Sequence, residues 1–275
     1  MDWLAWHEGY ADPTSRHARR LRVVQAHIRS FLDRCDAPSI RAVSLCSGSG
    51  ADLLPVLAEH PAGRRVRARL VESNPELAER ARATARERGL DGVEVVTGDA
   101  STTDAFEGAV PADLVLVCGV FGNIPDADVE RTIRALPQLC SPGATAVWTR
   151  HREEPDLTPA IRGWLRDSGF AERSFDSPGV GDYAVGSHAL VGPARRPCFR
   201  SACRTHLRSV SLEQPIFAAI EPIASHSEAC SFACSRTMRT ARSRTSGKYR
   251  TDVFCFSIAP SSQGLEPLAN PARFK

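Results

Sequence analysis

Two glycines follow an apolar segment early in the chain, and their spacing is typical of a turn that binds a ligand. Gly48 and Gly50 lie in the segment 47–50, directly after the strand-like residues 40–46. Glycine permits a sharp turn, and it leaves the backbone accessible because it has no Cβ. A helix predicted from Asp52 would direct its N-terminal amide groups into the same space. The segment is therefore a candidate site for a nucleoside or a carboxylate, or else a tight strand-to-helix connection without a ligand.

Two carboxylates follow the next two predicted strands. Glu72 lies 22 positions after Gly50, where an acidic side chain can accept hydrogen bonds from both hydroxyl groups of a ribose. Asp99 follows the third strand, and its carboxylate can accept from the exocyclic amine of adenine while the amide of Ala100 reaches a ring nitrogen. Alternatively, Glu72 is a solvated strand-end carboxylate, and Asp99 caps a turn or a helix. Together with the glycine turn, the two acids favour a site for an adenosyl group.

Three other glycine-turn motifs do not fit this segment. A nicotinamide-binding fingerprint needs glycine where Leu53 stands, and a serine-hydrolase elbow centred on Ser49 needs glycines where Ser47 and Ala51 stand. A phosphate-binding loop needs lysine after the turn, and the first lysine of the chain is Lys248. The turn therefore belongs to none of these three classes.

The elements that position these residues alternate along the chain. Strands are predicted at 40–46, 66–71, 93–97, 113–118 and 144–149, and helices at 14–36, from residue 52, and at 74–88, 126–140 and 158–168. This alternation predicts a doubly wound, mostly parallel, Rossmann-like α/β sheet. The last two strands, 170–175 and 183–191, are separated by turn residues only, so we expect an antiparallel C-terminal hairpin and about seven strands in total.

In order and spacing, four segments resemble the cofactor motifs of class I S-adenosylmethionine-dependent methyltransferases. These segments are Val43–Asp52, Leu70–Asn74, Gly98–Ala100 and Asp113–Phe121. The closing hairpin is also typical of that fold, and the resemblance covers about residues 1–192. Further segments resemble uncharacterised bacterial members of the superfamily: Trp6-His7, Cys46–Leu54, Pro111–Ile124 and Trp148–His151.

The resemblance implies a methyltransferase that uses S-adenosyl-L-methionine as its cofactor. It assigns Gly48 and Gly50 to the methionine part, Glu72 to the ribose, Asp99 and Ala100 to the adenine, and Cys118 and Gly119 to the pocket after the fourth strand. The chain departs from the family at two positions. Cys46 stands where the family usually has an acid, and Asp52 stands where it has a third glycine. Asp52 could replace the missing acid as the partner of the methionine amine.

The catalytic residues are unknown, and two weak candidates follow from position. His151 ends the fifth strand and Asn123 follows the fourth, where enzymes of this fold meet the acceptor. His7 and Tyr10 could contribute from an N-terminal lid, although a structural role is the plainer interpretation for all four side chains. We expect a small-molecule acceptor and no metal. The alternative is a non-catalytic protein that retains the methyltransferase fold.

The net charge of +3 conceals an asymmetry along the chain. Residues 195–275 contain 13 basic and 5 acidic residues, whereas the remainder contains 22 basic and 27 acidic residues. Nucleic-acid binding by the acidic main body is therefore not expected. No apolar run is long enough to span a bilayer, and the N-terminus lacks a secretory signal, so we expect a cytoplasmic protein without a membrane partner.

The chain is predicted to have three parts. Residues 1–36 form an N-terminal helical cap, and residues 37–192 form the cofactor-binding domain. Residues 193–275 form a basic tail rich in Ser, Arg and Cys, whose composition and lack of periodicity predict disorder. The alternative for the tail is a small basic module that contacts nucleic acid. The spacing of the tail cysteines matches no paired zinc-ligand motif.

Overall fold

A computed structural model describes residues 12–179 and 182–197 of the chain. The strands are β1 (Ile40–Leu45), β2 (Val66–Glu72), β3 (Val93–Thr97), β4 (Ala112–Val117), β5 (Cys140–His151), β6 (Phe170–Asp176) and β7 (Tyr183–Leu190). The helices are α1 (Arg16–Arg34), α2 (Leu54–Glu59), α3 (Pro75–Glu87), α4 (Asp126–Ala135) and α5 (Thr158–Asp167). His7, Tyr10, the rest of residues 1–11 and residues 198–275 lie outside the described ranges.

All seven strands of the described ranges belong to one sheet, in the order β3-β2-β1-β4-β5-β7-β6. Strands β1 to β5 pair in parallel, and β7 lies antiparallel between β5 and β6. The fold class predicted from the sequence, including the closing hairpin, is confirmed. The strand order reverses between β1 and β4, and such a switch point opens a crevice at the carboxyl ends of the strands.

The central strands are buried on both faces because helices cover the sheet from both sides. On one face, α1, α2 and α3 pack with Ala42 and Leu114 through their apolar residues. On the other face, α4 and α5 pack with Val43 and Val115. Alternate residues of β1 and β4 therefore enter opposite cores, which explains why both segments are almost entirely apolar.

Two helix starts follow the capping pattern of the sequence. The Ser15 hydroxyl accepts a hydrogen bond from the Ala18 amide at 3.0 Å and so caps α1. The Asn74 side chain accepts from the amides of Glu76 and Leu77, and Pro75 occupies the first turn of α3. The caps fix where α1 and α3 begin beside the carboxyl edge of the sheet.

The predicted extents of one helix and one strand are wrong. The helix predicted to reach residue 140 ends at Ala135, and a 3₁₀ turn at Leu136–Gln138 follows because Pro137 has no amide hydrogen to continue the α-helix. Strand β5 begins at Cys140 and runs through residues 142–143, which were expected to end the helix. The pairing register with β4 shifts there, and such an irregularity tolerates a proline inside a strand.

None of the helices within the described ranges has both the length and the apolar character that a membrane crossing needs.

A buried histidine makes the stability of this fold sensitive to pH. His188 on β7 is 1% exposed, and its Nδ1 accepts a hydrogen bond from the Trp148 indole at 3.2 Å. Burial lowers the pKa of His188 to about 4, so the side chain is neutral in the folded protein at neutral pH. The unfolded chain takes up a proton below about pH 6.5, whereas the folded chain does not. Stability is therefore lost as the pH falls from about 6.5 towards 4.

We expect the free energy of unfolding to fall by about 2 kcal/mol because of His188 when the pH is lowered from about 7.5 to about 5. Urea unfolding at the two pH values measures this loss. The control is His188→Asn, whose carbonyl can still accept from the Trp148 indole but does not titrate. If the variant loses as much stability as the parent chain over this range, another group is responsible.

Candidate functional site

The loop after β1 turns sharply across the carboxyl edge of the sheet. Cys46, Gly48 and Gly50 have positive φ angles of 48°, 56° and 75°, which lie in the left-handed region. A Cβ on Gly50 would also lie 2.6 Å from a methyl carbon of Leu54. The Ser47 amide donates to the Val71 carbonyl at 3.0 Å, so the loop is attached to the end of β2.

Glu72 joins this loop to the end of β2 through its carboxylate. The side chain is buried, with the residue 7% exposed, and one oxygen accepts from the Gly48 amide at 2.7 Å. The other oxygen accepts from the Asn74 amide at 2.8 Å. Each carboxylate oxygen has a second lone pair, so Glu72 can accept further hydrogen bonds from a ligand. Glu72 is therefore not the solvated strand-end carboxylate considered as the alternative.

Asp99 and Ala100 lie at the neighbouring end of β3. The Gly98 amide donates to the Glu72 carbonyl at 2.9 Å, which brings the ends of β2 and β3 together. One oxygen of Asp99 accepts from the Ser101 amide at 2.8 Å, so Asp99 does cap a turn. A carboxylate oxygen can accept more than one hydrogen bond, so this cap is compatible with a contact to a ligand.

The hydrogen bonds from Gly48 and Gly98 to Glu72 place the loop and the two acids at one edge, and Cys46 lies near both acids. The pKa of the Cys46 thiol is raised well above its ordinary value, mainly by burial and further by the charges of Glu72 and Asp99. The thiol is therefore neutral, whereas an acid at this position would add a third negative charge. The glycine loop, Glu72 and Asp99 therefore lie together in the structure.

Asp52 lies within hydrogen-bonding reach of the Cys118 thiol, which follows β4. Burial raises the pKa of the Cys118 thiol, and the Asp52 carboxylate raises it further through its charge and a hydrogen bond, while the charge of Arg20 opposes this. Asp52 therefore contacts Cys118, and Arg20 lies close enough for its charge to act on the same thiol. The helix expected from Asp52 begins only at Leu54 and spans six residues. The amide of Leu54 donates to the Gly50 carbonyl, so the expected row of free helix amides is not formed.

The loop after β4 is held by β5 and leaves open space beside it. Gly119 has a φ of 73°, its amide donates to the Thr149 hydroxyl at 2.8 Å, and its carbonyl accepts from the Asn123 side chain. A Cβ built on Gly119 would meet no atom within 4 Å. Asn123, predicted as a catalytic candidate, is thus a residue that fixes the loop around Gly119.

Beside Gly119 lies a pocket that we call the basic pocket. Helix α1, the loop after β4 and the start of β7 surround the carboxyl end of β5. The lining residues are Arg16, His17, Arg20, Gly119, Gly122, Asn123, Thr149, Arg150, His151 and Tyr183. The structure thus brings His151 and Asn123 together, as their strand positions predicted. The pKa of His151 is lowered, first by burial and then by the charge of Arg150, so its imidazole is neutral at neutral pH.

The three arginines of the basic pocket were not predicted from the sequence. Arg16 and Arg20 lie four residues apart on α1, and Arg150 precedes His151 on β5. Helical spacing places Arg16 and Arg20 on one face of α1. The spacing could have predicted that the two arginines lie together, but the sequence does not show which strand this face of α1 packs against.

Comparison with known proteins agrees with the fold. Residues 42–143 match a family model described as a methyltransferase domain. The magnesium protoporphyrin IX methyltransferase from Synechocystis PCC 6803, solved with bound S-adenosylmethionine, has a TM-score of 0.53 at 15% identity, over 67% of this chain and 88% of that chain. A possible exported protein from Bordetella parapertussis has a TM-score of 0.50 at 21% identity, over 61% and 67% of the two chains. No curated protein matches the chain.

Proposed function

We propose that this chain, a class I methyltransferase in its sequence match and fold, transfers a methyl group from S-adenosylmethionine to a small-molecule acceptor. The observation that carries this proposal is the convergence of the glycine loop, Glu72 and Asp99 at one edge of the sheet. An adenosyl group needs acceptors for its ribose and its adenine amine, and these two carboxylates are suitable acceptors. The basic pocket then lies where an acceptor molecule would approach.

Each part of the cofactor has residues that fit it. Glu72 would accept from the ribose, Asp99 and Ala100 would hold the adenine, and Gly48, Gly50, Cys118 and Gly119 would surround the methionine part. Asp52 would accept a hydrogen bond from the methionine amine. The acid that the family usually has for this contact is replaced here by Cys46, whose thiol is neutral and cannot take its role. Within the described ranges, the buried hydroxyls of Ser47 and Ser101 have no hydrogen-bond partner. These hydroxyls flank the proposed site, and a polar ligand would give them partners.

The residues of the chain would contribute mainly alignment. When bound, the cofactor would supply an electrophilic methyl carbon on a positively charged sulfur, and the residues of the chain would hold an acceptor lone pair in line with it. Holding the two reactants in line can supply about 7–11 kcal/mol of the barrier. His151 is neutral at neutral pH and can take up the proton that an acceptor hydroxyl or amine loses.

Calorimetry on the full chain tests the cofactor assignment. We expect S-adenosylmethionine and S-adenosylhomocysteine to bind at one site, and NAD to give no heat, since Leu53 stands where a nicotinamide fingerprint needs glycine. If neither adenosyl compound binds, the proposal is wrong. Formation of S-adenosylhomocysteine with a panel of small acceptors then tests turnover. Binding without turnover for any acceptor would favour a non-catalytic protein, which is the alternative that the neutral Cys46 supports.

A further inference from the structure

We infer that the acceptor is a small organic anion, and that the basic pocket binds its anionic group. This inference rests on the proposed function, since it names the class of molecule that would occupy the pocket beside Gly119. The anionic group would be a carboxylate or a phosphate, because both present oxygens that a guanidinium can bind in pairs.

The charges that line the basic pocket are of one sign. Arg16, Arg20 and Arg150 contribute three guanidinium groups, and none of the described lining residues is an acid. Arg16 pairs with the carboxylates of Glu153 at 2.8 Å and Asp182 at 3.9 Å, and the Asp52 carboxylate lies near Arg20, but none of these three acids lines the pocket. The Arg16–Glu153 pair is largely exposed, and solvent screens such pairs strongly. The pocket therefore presents positive charge to a molecule that enters it.

Arg150 shows most directly that an anionic partner would be favourable. The residue is 8% exposed, and its guanidinium donates to the Phe121 carbonyl. Its carboxylate partner in the described ranges, Asp126, is 3.5 Å away and largely exposed. The Arg150 Nε is buried and has no hydrogen-bond partner in those ranges. A buried cation that is poorly paired is costly, and an anion in the pocket would offset that cost.

His151 adds a second buried nitrogen without a partner at the same strand end. Among the described residues, none forms a hydrogen bond with its Nδ1. The ring lies against Gly122, where a Cβ would come within 3.2 Å of Cδ2, so glycine leaves room for the imidazole. Arg150 and His151 thus place a cation and a neutral base side by side. An anionic acceptor held there would have Gly119, and the proposed methyl donor, on its other side.

A competing interpretation assigns the basic pocket to the carboxylate of the cofactor itself. The charge of Arg20 lowers the pKa of the Cys118 thiol, whereas that of Asp52 raises it. Arg20 therefore lies near the proposed methionine site. The two interpretations differ in one measurable respect. A separate acceptor site binds an anion while the cofactor site is filled, whereas a cofactor-carboxylate site does not.

The experiment uses benzoate and inorganic phosphate as probes, titrated into the full chain at low salt with and without saturating S-adenosylhomocysteine. We expect one probe to bind at least about tenfold more tightly than neutral benzamide, with S-adenosylhomocysteine present, because the pocket is cationic. The tighter of the two probes identifies the acceptor as a carboxylate or a phosphate. Arg20→Gln and Arg150→Gln should each weaken that probe at least about tenfold, which corresponds to the lower end of the usual contribution of a charged hydrogen bond. Arg86→Gln, on the exposed face of α3, should leave it unchanged.

The outcomes separate this inference from the proposed function. Three outcomes would each overturn the anionic-acceptor assignment. Benzamide could bind as tightly as both probes, or the probe could bind the parent chain and Arg20→Gln with equal affinity. The third outcome is competition between the probe and S-adenosylhomocysteine. Arg20 is only partly buried, so its variant remains informative even if Arg150→Gln fails to fold. If S-adenosylhomocysteine itself does not bind, the proposed function fails. The titrations without it still decide whether the pocket binds anions.

Discussion

Replacing Glu72 with alanine should weaken the binding of S-adenosylhomocysteine by at least about 100-fold. The proposed ribose contact consists of two hydrogen bonds to a charged carboxylate, each worth about 1.5–3 kcal/mol. Losing both removes at least about 3 kcal/mol, and each 1.4 kcal/mol is about tenfold in affinity. The substitution also frees the Gly48 amide, which Glu72 binds at 2.7 Å, so the glycine loop is held to the end of β2 by the Ser47–Val71 hydrogen bond without the Glu72 carboxylate. Calorimetry on the full chain measures the change.

Two variants separate the loss of a contact from the loss of the fold. Glu94→Ala removes an exposed glutamate from the adjacent strand β3, where it pairs with Arg69, and should leave affinity unchanged. Glu72→Gln retains the side-chain length but replaces one oxygen with a donor. Because Gly48 and Asn74 both present amide donors, glutamine can serve only one of them. Unchanged affinity in a folded Glu72→Ala protein would contradict the ribose assignment.

The convergence at the carboxyl edge could be predicted because it depends on topology alone. Strands that run in parallel end at the same edge of the sheet, so Gly48, Glu72 and Asp99 had to meet once the alternation of strands and helices was recognised. The hairpin could be predicted for the same kind of reason, since the few turn residues before Tyr183 cannot form a crossover helix.

The contacts inside the site could not be predicted, because they depend on packing between distant segments. Nothing in the sequence indicates that Glu72 would use both oxygens on backbone amides, or that Cys46 would adopt a left-handed φ of 48°. The sequence also does not show that α1 packs beside the end of β5, which brings Arg16 and Arg150 to one pocket. The alternation of apolar strands and helices predicts which residues end the strands. Packing between distant segments decides which side chains line the space between the strand ends.

The site also shows how the chain accommodates its departures from the family. An acid at position 46 would lie close to both Glu72 and Asp99, and carboxylates packed together disfavour one another's charged forms. Cys46 avoids this repulsion, while Asp52 supplies a carboxylate at the end of β4, near Cys118. The negative charge is thereby moved towards the basic pocket, where Arg20 also lies.

Replacing Gly186 with alanine should destabilise the fold by about 3 kcal/mol, near the upper end of the usual cost of overpacking a core. Gly186 lies on β7 directly opposite Trp148 on β5, and a Cβ there would come closer than 3.0 Å to three atoms of the indole ring. Trp148 is fully buried and packs beside Phe121, so the ring cannot swing into solvent. Urea unfolding of the variant and the parent chain measures the difference in unfolding free energy.

A matched glycine and a double-mutant cycle identify the indole as the cause. Gly163 lies inside α5 with an ordinary φ, and a Cβ there would approach no atom closer than 3.8 Å, so Gly163→Ala should stabilise the protein by about 0.5–1 kcal/mol through helix propensity. Trp148→Leu removes the ring atoms that the new methyl group would strike. Gly186→Ala should therefore cost at least about 1 kcal/mol less in the Trp148→Leu background than in the parent chain. Equal costs in the two backgrounds would show that the glycine is needed for its backbone and not for the space that it leaves to Trp148.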